Sequence, residues 1–139
     1  MTMTATARPL GEGLTYEVDV NGRHTILTDE PERLGGSDEG PAPHELLPAM
    51  LASCVATMIA MYAQNRGWQL GDTSVNVRYD PESVPRQVEV ELHLPSALTH
   101  EQRRRLERVA ATCPARRALE TGFTFEERVV SDATSRAAA

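Results

Sequence analysis

The sequence predicts an α+β fold, on two observations. Strand-like and helix-like stretches follow one another as strands, helix, strands, helix, strand. The early and the middle strands come as pairs joined by hairpin turns, whereas a doubly wound sheet would put a helix between every two strands. At 139 residues the chain is long enough for one ordinary domain with a hydrophobic core. It shows no internal repeat and no linker, so a single domain over 1–139 is expected, with its core at about 14–130.

The first pair opens with residues 14–20, LTYEVDV, which alternate apolar and polar like a half-buried strand. Asn21-Gly22 is the pair best suited to a type I′ turn, and 23–28 returns as the second strand. Residues 29–43, DEPERLGGSDEGPAP, hold three prolines and three glycines. A loop of that length is uncommon inside a compact domain; it is usually functional or crosses to a partner. Its glycines are expected to serve tight turns where the loop meets a partner subunit.

From 44 to 66 the reading is helix. Leu47, Leu51, Val55, Met58 and Tyr62 recur at spacings of three and four, and Met50, Cys54 and Met61 widen the stripe enough to predict burial on most sides. Pro48 either kinks this helix or marks where its buried part starts, and Gly67 fits its C-terminal cap. Residues 73–79 and 86–94 alternate strictly around a loop at 80–85. Thr99 and Gln102 read as a capping box for a helix that buries Leu106, Val109, Ala110 and Cys113. Pro114 stops that helix or restarts it for a short run to Gly122. Residues 123–130 are expected to close the fold as a strand, and 131–139, with nothing to bury, to form a disordered tail.

All fourteen basic residues are arginine, which excludes a Schiff-base lysine, a lysine general base and the lysine-bearing phosphate loop. The net charge of −6 argues against non-specific nucleic-acid binding. No run approaches about 18 consecutive apolar residues, so no membrane role is expected. Two cysteines are too few for a disulfide scaffold or a four-cysteine zinc site, and a cytoplasmic protein with reduced thiols is the expectation. His24, His44, His93 and His100 lack metal-ligand spacing with either cysteine, and neither a metal nor a cofactor is expected. Glu101 and Arg105 make a favourable i,i+4 pair, so the arginine-rich face of their helix reads as solvated.

Each cysteine is either a small buried core residue or a reactive thiol. Cys113, just before Pro114, stands where a helix N-terminus would favour the thiolate, so local electrostatics alone make it the more acidic of the two. Cys54 lies too deep in its helix for the dipole to act strongly and would need a neighbouring cation. With no lysine, that cation is an arginine or a protonated histidine.

The run LGGSDEGPAPHELL at 34–47, LASC at 51–54 and TCPARRAL at 112–119 resemble the OsmC/Ohr family. The likeness extends over about 15–130, nearly the whole chain. It implies an OsmC-like fold, with curved antiparallel sheets wrapped around central helices in an intertwined homodimer. It also implies thiol-dependent reduction of organic hydroperoxides in oxidative stress defence, with a dithiol as reductant. Carried onto this chain, Cys54 is the attacking thiolate and Cys113 the resolving thiol that closes a disulfide. The resemblance thus assigns the attack to Cys54 against the local electrostatics, and we follow it. The methionines and leucine around Cys54 suit an alkyl hydroperoxide better than hydrogen peroxide.

Two positions depart from the family's peroxidase branches. The glutamate that follows the proline there, orienting the activating arginine, is His44 here, with Glu45 next and about 100° round a helix. His44 retains the option of hydrogen-bonding a peroxide or sensing pH. The activating arginine is Arg33, in the loop, or Arg23, on the hairpin. These departures motivate an alternative in which the chain is non-catalytic and binds a small apolar ligand or a partner at the dimer cleft.

Overall fold

A computed structural model describes residues 1–131. The expected tail at 131–139 lies outside the described residues apart from Ser131.

Three antiparallel strands form the first sheet in chain order, β1 (Ala5–Pro9), β2 (Tyr16–Val20) and β3 (His24–Thr28). Asn21 and Gly22 both take positive φ, 55° and 66°, as a type I′ turn requires. Strand β1 has no counterpart in the expected elements. Its sequence, ATARP, lacks apolar alternation and every residue is exposed; backbone pairing with β2, in register Ala5 to Val20, holds it.

The helix expected at 44–66 begins as a 3-10 turn, Pro43–Glu45, and continues as α1 (Leu46–Asn65). Pro48 sits in the first turn of α1, where its missing N–H has no partner to lose. Gly67, with φ 67°, follows the last turn as the expected cap. After α1 come the hairpin β4 (Ser74–Tyr79) and β5 (Val88–His93), then α2 (His100–Ala111) and α3 (Pro114–Thr121). Thr99 and Gln102 form the capping box: Gln102 N donates to Thr99 Oγ1 at 3.1 Å and Thr99 N to Gln102 Oε1 at 2.8 Å. Pro114 restarts rather than ends helix, taking the first position of α3. Arg105 and Glu101 pair at 2.8 Å as their spacing requires.

Helix α1 is the centre of the core. Leu51, Val55 and Ile59 bury one face against Leu98, Leu106 and Ala110, with Cys113 beside them. Each buried leucine or isoleucine contributes about 1.5–3 kcal/mol of hydrophobic stabilisation. Valines and leucines of β4 and β5 cover the cluster from the sheet side.

Burial on most sides of α1 does not hold. Met50 and Met61 on α1 are 47% and 56% exposed, and on α2 Val109, expected to be buried, is only half-buried. Among the described residues, α2, α3 and one two-stranded sheet cover α1, and they reach a single face. The stretch Pro43–Asn65 is long and apolar enough to cross a membrane by length and composition, although no run in it is uninterruptedly apolar.

The closing strand expected at 123–130 is not formed. Phe123, Phe125, Val129 and Val130 are 63–100% exposed, and the segment joins neither sheet. Its residue types suit a strand, but a strand needs a paired edge and a covering layer to bury them.

Candidate functional site

Two helices bring the cysteines together. Cys54 is half-buried on the third turn of α1, next to the core cluster, and Cys113 is fully buried at the N-cap of α3. The two thiols are neighbours, and their interaction contributes to the properties of Cys113.

The electrostatic expectation for Cys113 is overturned. Burial pushes its thiol above the ordinary value of 9.0, and the adjacent Cys54 thiol adds to the rise. The backbone N–H groups of Arg116 and Ala115, at the start of α3, act in the opposite direction but do not win. The helix terminus acts in the expected direction, and desolvation is the larger effect. Cys113 is therefore a protonated thiol at neutral pH, suited to a resolving role rather than to attack.

The other candidates are dispersed. Arg23 lies exposed in the turn between β2 and β3, and Arg33 lies exposed in a 3-10 turn, Glu32–Leu34. Neither element packs substantially against α1. His44 is exposed and meets Tyr79 of β4 edge to face, with ring centroids 5.3 Å apart. The Glu45 carboxylate accepts the N–H of Ala42 at 3.2 Å, a local cap of the turn that leads into α1.

A residue that the sequence reading missed organises the loop. Asp29 is 1% exposed, and its carboxylate accepts from Thr15 Oγ1 at 2.9 Å, Glu30 N at 2.8 Å, Glu39 N at 3.2 Å and Ser37 N at 3.3 Å. Burial alone would raise its pKa, but these four hydrogen bonds outweigh burial and hold the carboxyl below its usual range. Gly36 lies so close to this turn that a Cβ would stand 1.9 Å from the carbonyl oxygen of Glu30. At this position, therefore, glycine serves close approach within the chain. The only signal in the sequence was an aspartate at a strand end before a Pro and Gly rich loop, which is common to many turns.

A groove of about 570 Å³ opens between α1, β5 and α3. Leu47 and Leu51 of α1, Val88 and Val90 of β5 and Leu119 of α3 form its walls, with Tyr79, Arg86, Arg116 and Glu120 as polar lining. Neither cysteine lines it, but Leu51 precedes Cys54 by three residues and Arg116 follows Cys113 by three, about one helical turn each.

The OsmC-like protein family matches residues 36–128, more than half of the chain. Among curated proteins, none matches the sequence. Among solved structures, an osmotic stress induced and detoxification response protein of Psychrobacter arcticus shares 26% identity, over 84% of this chain and 87% of that one, with a TM-score of 0.70. An organic hydroperoxide resistance protein of Elizabethkingia anophelis shares 25% over 84% and 86%, with a TM-score of 0.59. A Vibrio cholerae organic hydroperoxide resistance protein, with captopril in one active site, shares 24% over 86% and 84% at a TM-score of 0.61, which bears on the fold alone. Antiparallel sheets around a central helix, with Cys54 and Cys113 in the family's order, agree with this likeness, and the chain belongs to the OsmC-like protein family.

Proposed function

We propose that the protein is a thiol-dependent peroxidase for organic hydroperoxides, working within the role in hydroperoxide resistance or stress response that the family suggests. The observation that carries this reading is the adjacency of half-buried Cys54 to fully buried, protonated Cys113. The Cys54 thiolate attacks the terminal peroxide oxygen; the O–O bond breaks, the alkoxide leaves and takes a proton as the alcohol, and Cys54 becomes a sulfenic acid. The Cys113 sulfur then displaces hydroxide, released as water with the thiol's proton, and a Cys54–Cys113 disulfide forms. A dithiol reductant returns both thiols by exchange.

In this reading the chain acts as a single-domain cytoplasmic homodimer. The exposed face of α1, with Met50 and Met61, and the apolar segment 123–130 are the surfaces that a second copy would cover. A partner protomer could also bring Arg33 or Arg23 to Cys54, since within one protomer neither packs on α1.

One equivalent of an alkyl hydroperoxide should consume both thiols and leave an intramolecular Cys54–Cys113 link in the mass spectrum. Unchanged thiols after that treatment would refute the proposal. In Cys113→Ser, a sulfenic-acid probe should label Cys54.

A second reading rests on His44 and Glu45: one faces Tyr79 and the other caps a turn, so neither is placed to orient an arginine. The chain would then bind a small apolar ligand or a partner without chemistry. A peroxide reduction rate no faster than that of a free thiol, with a ligand retained through purification, would favour it.

A further inference from the structure

We propose that the hollow between α1 and α2 lined by Arg105 and Arg108 binds a phosphoryl group. Binding there uses neither thiol and is independent of the peroxidase reading.

Arg105, Arg108 and Thr112 follow one another at spacings of three and four, so they share one face of α2 and its C-cap. With Val109 and Tyr62 of α1 they line a hollow of about 260 Å³. That is below the roughly 300 Å³ at which sites for whole small molecules begin, and it suits the charged end of a ligand. Arg66, at the end of α1, lays its guanidinium on the Tyr62 ring, 3.6 Å from the centroid, so a third cation stands one ring away. Of these three arginines only Arg105 has an acidic partner among the described residues, Glu101 at 2.8 Å. Glu107, the other acidic residue of α2, lines a different hollow with Arg103. Three guanidinium groups thus gather here against one carboxylate, on a chain whose net charge is −6. A carboxylate ligand, with one charge and two oxygens, satisfies a single guanidinium fork. A phosphoryl group brings three oxygens and about −1.5 to −2 charge at neutral pH, which matches Arg105 and Arg108 together. Because the whole chain is acidic, the affinity must come from these contacts and not from long-range attraction.

Equilibrium dialysis of the full chain against labelled inorganic phosphate, at fixed ionic strength, measures the binding directly. A single saturable site per chain should appear, and acetate at the same concentration should not displace the phosphate. Arg108→Met should weaken binding by about tenfold or more, the size of one charge-assisted hydrogen bond. Arg104→Met removes the same charge from an exposed position of α2 outside the hollow and should leave binding unchanged. Circular dichroism checks that both variants keep their helices, and Arg105→Met repeats the test from the second lining guanidinium. No saturable binding, displacement by acetate, or an equal effect of Arg104→Met and Arg108→Met would overturn the proposal. With the site established, vesicles of phosphatidic acid in phosphatidylcholine identify the source of the group. Cosedimentation that is lost in Arg108→Met assigns it to a lipid headgroup, and no cosedimentation assigns it to a soluble phosphate ester.

Discussion

Cys113, buried to zero exposure at the start of α3, has its thiol beside that of half-buried Cys54 on α1. The pair is asymmetric in access, and burial holds Cys113 as the thiol, with a direct chemical consequence. Iodoacetamide at neutral pH should alkylate Cys54 in the folded protein while sparing Cys113. The Cys113 rate should be much the lower, because its sulfur is closed off from solvent and burial favours its thiol over the thiolate. Peptide mapping after timed quenching measures both rates. Comparable rates in the folded state would mean that Cys113 is neither desolvated nor protonated as its position requires.

The same shift links Cys113 to stability. Its folded pKa lies above the ordinary thiol value of 9.0, so below that value both folded and unfolded chains carry the proton and no dependence arises. Above it the unfolded chain ionises first and binds fewer protons, and stability falls as pH rises through the interval up to the folded pKa. The slope from this one group is at most about 1.4 kcal/mol per pH unit. Cys113→Ala removes it, at a cost of about 1 kcal/mol for the lost buried atom. Urea denaturation at pH 8 and pH 10 should show the two proteins converging at the higher pH.

The elements whose order depends on local chemistry were legible in the sequence. The Asn21-Gly22 turn, the Thr99–Gln102 capping box and the helix restart at Pro114 each follow from the residues at the spot. Strand β1 was not legible, because ATARP has no apolar alternation and is held by backbone pairing alone. The strand expected at 123–130 failed for the converse reason: its residue types are right, but nothing in the described chain covers Phe125 or Val129. At the site, the order of the cysteines pointed to the pair, while the acidity of Cys113 could not be read. Acidity turned on the burial of Cys113, a property of how α3 packs on α1.

Asp29 carries the next prediction. Four hydrogen bonds converge on its buried carboxylate, two of them from the far side of the loop at Ser37 and Glu39. Asp29→Ala should release the loop without unfolding the α1 core, and trypsin should then cleave after exposed Arg33 much faster than in the unmodified protein. Because the folded pKa lies below the ordinary 3.8, the carboxylate's contribution is complete above that value and is lost as pH falls through the lower folded value. The loop should therefore stay protected down to about pH 4, where an ordinary carboxylate is already substantially protonated. Unchanged cleavage after Arg33 in Asp29→Ala would show that the glycine turns alone hold the loop.

Helix α1 makes the last prediction, through the contrast between its two faces. Ile59 is wholly buried against the core, whereas Met61, two residues on, is 56% exposed. Ile59→Ala should cost about 2–5 kcal/mol through lost transfer energy and the cavity left behind. Met61→Glu touches no core contact within one protomer, so in an isolated chain it should change stability by less than about 0.5 kcal/mol. If a second copy covers this face, the same substitution buries an unpaired carboxylate in an apolar interface, which is strongly unfavourable. Sedimentation should then show the unmodified protein as a dimer and Met61→Glu as a monomer with intact helical circular dichroism. A dimer that survives Met61→Glu would mean that the exposed face of α1 is not the face that pairs.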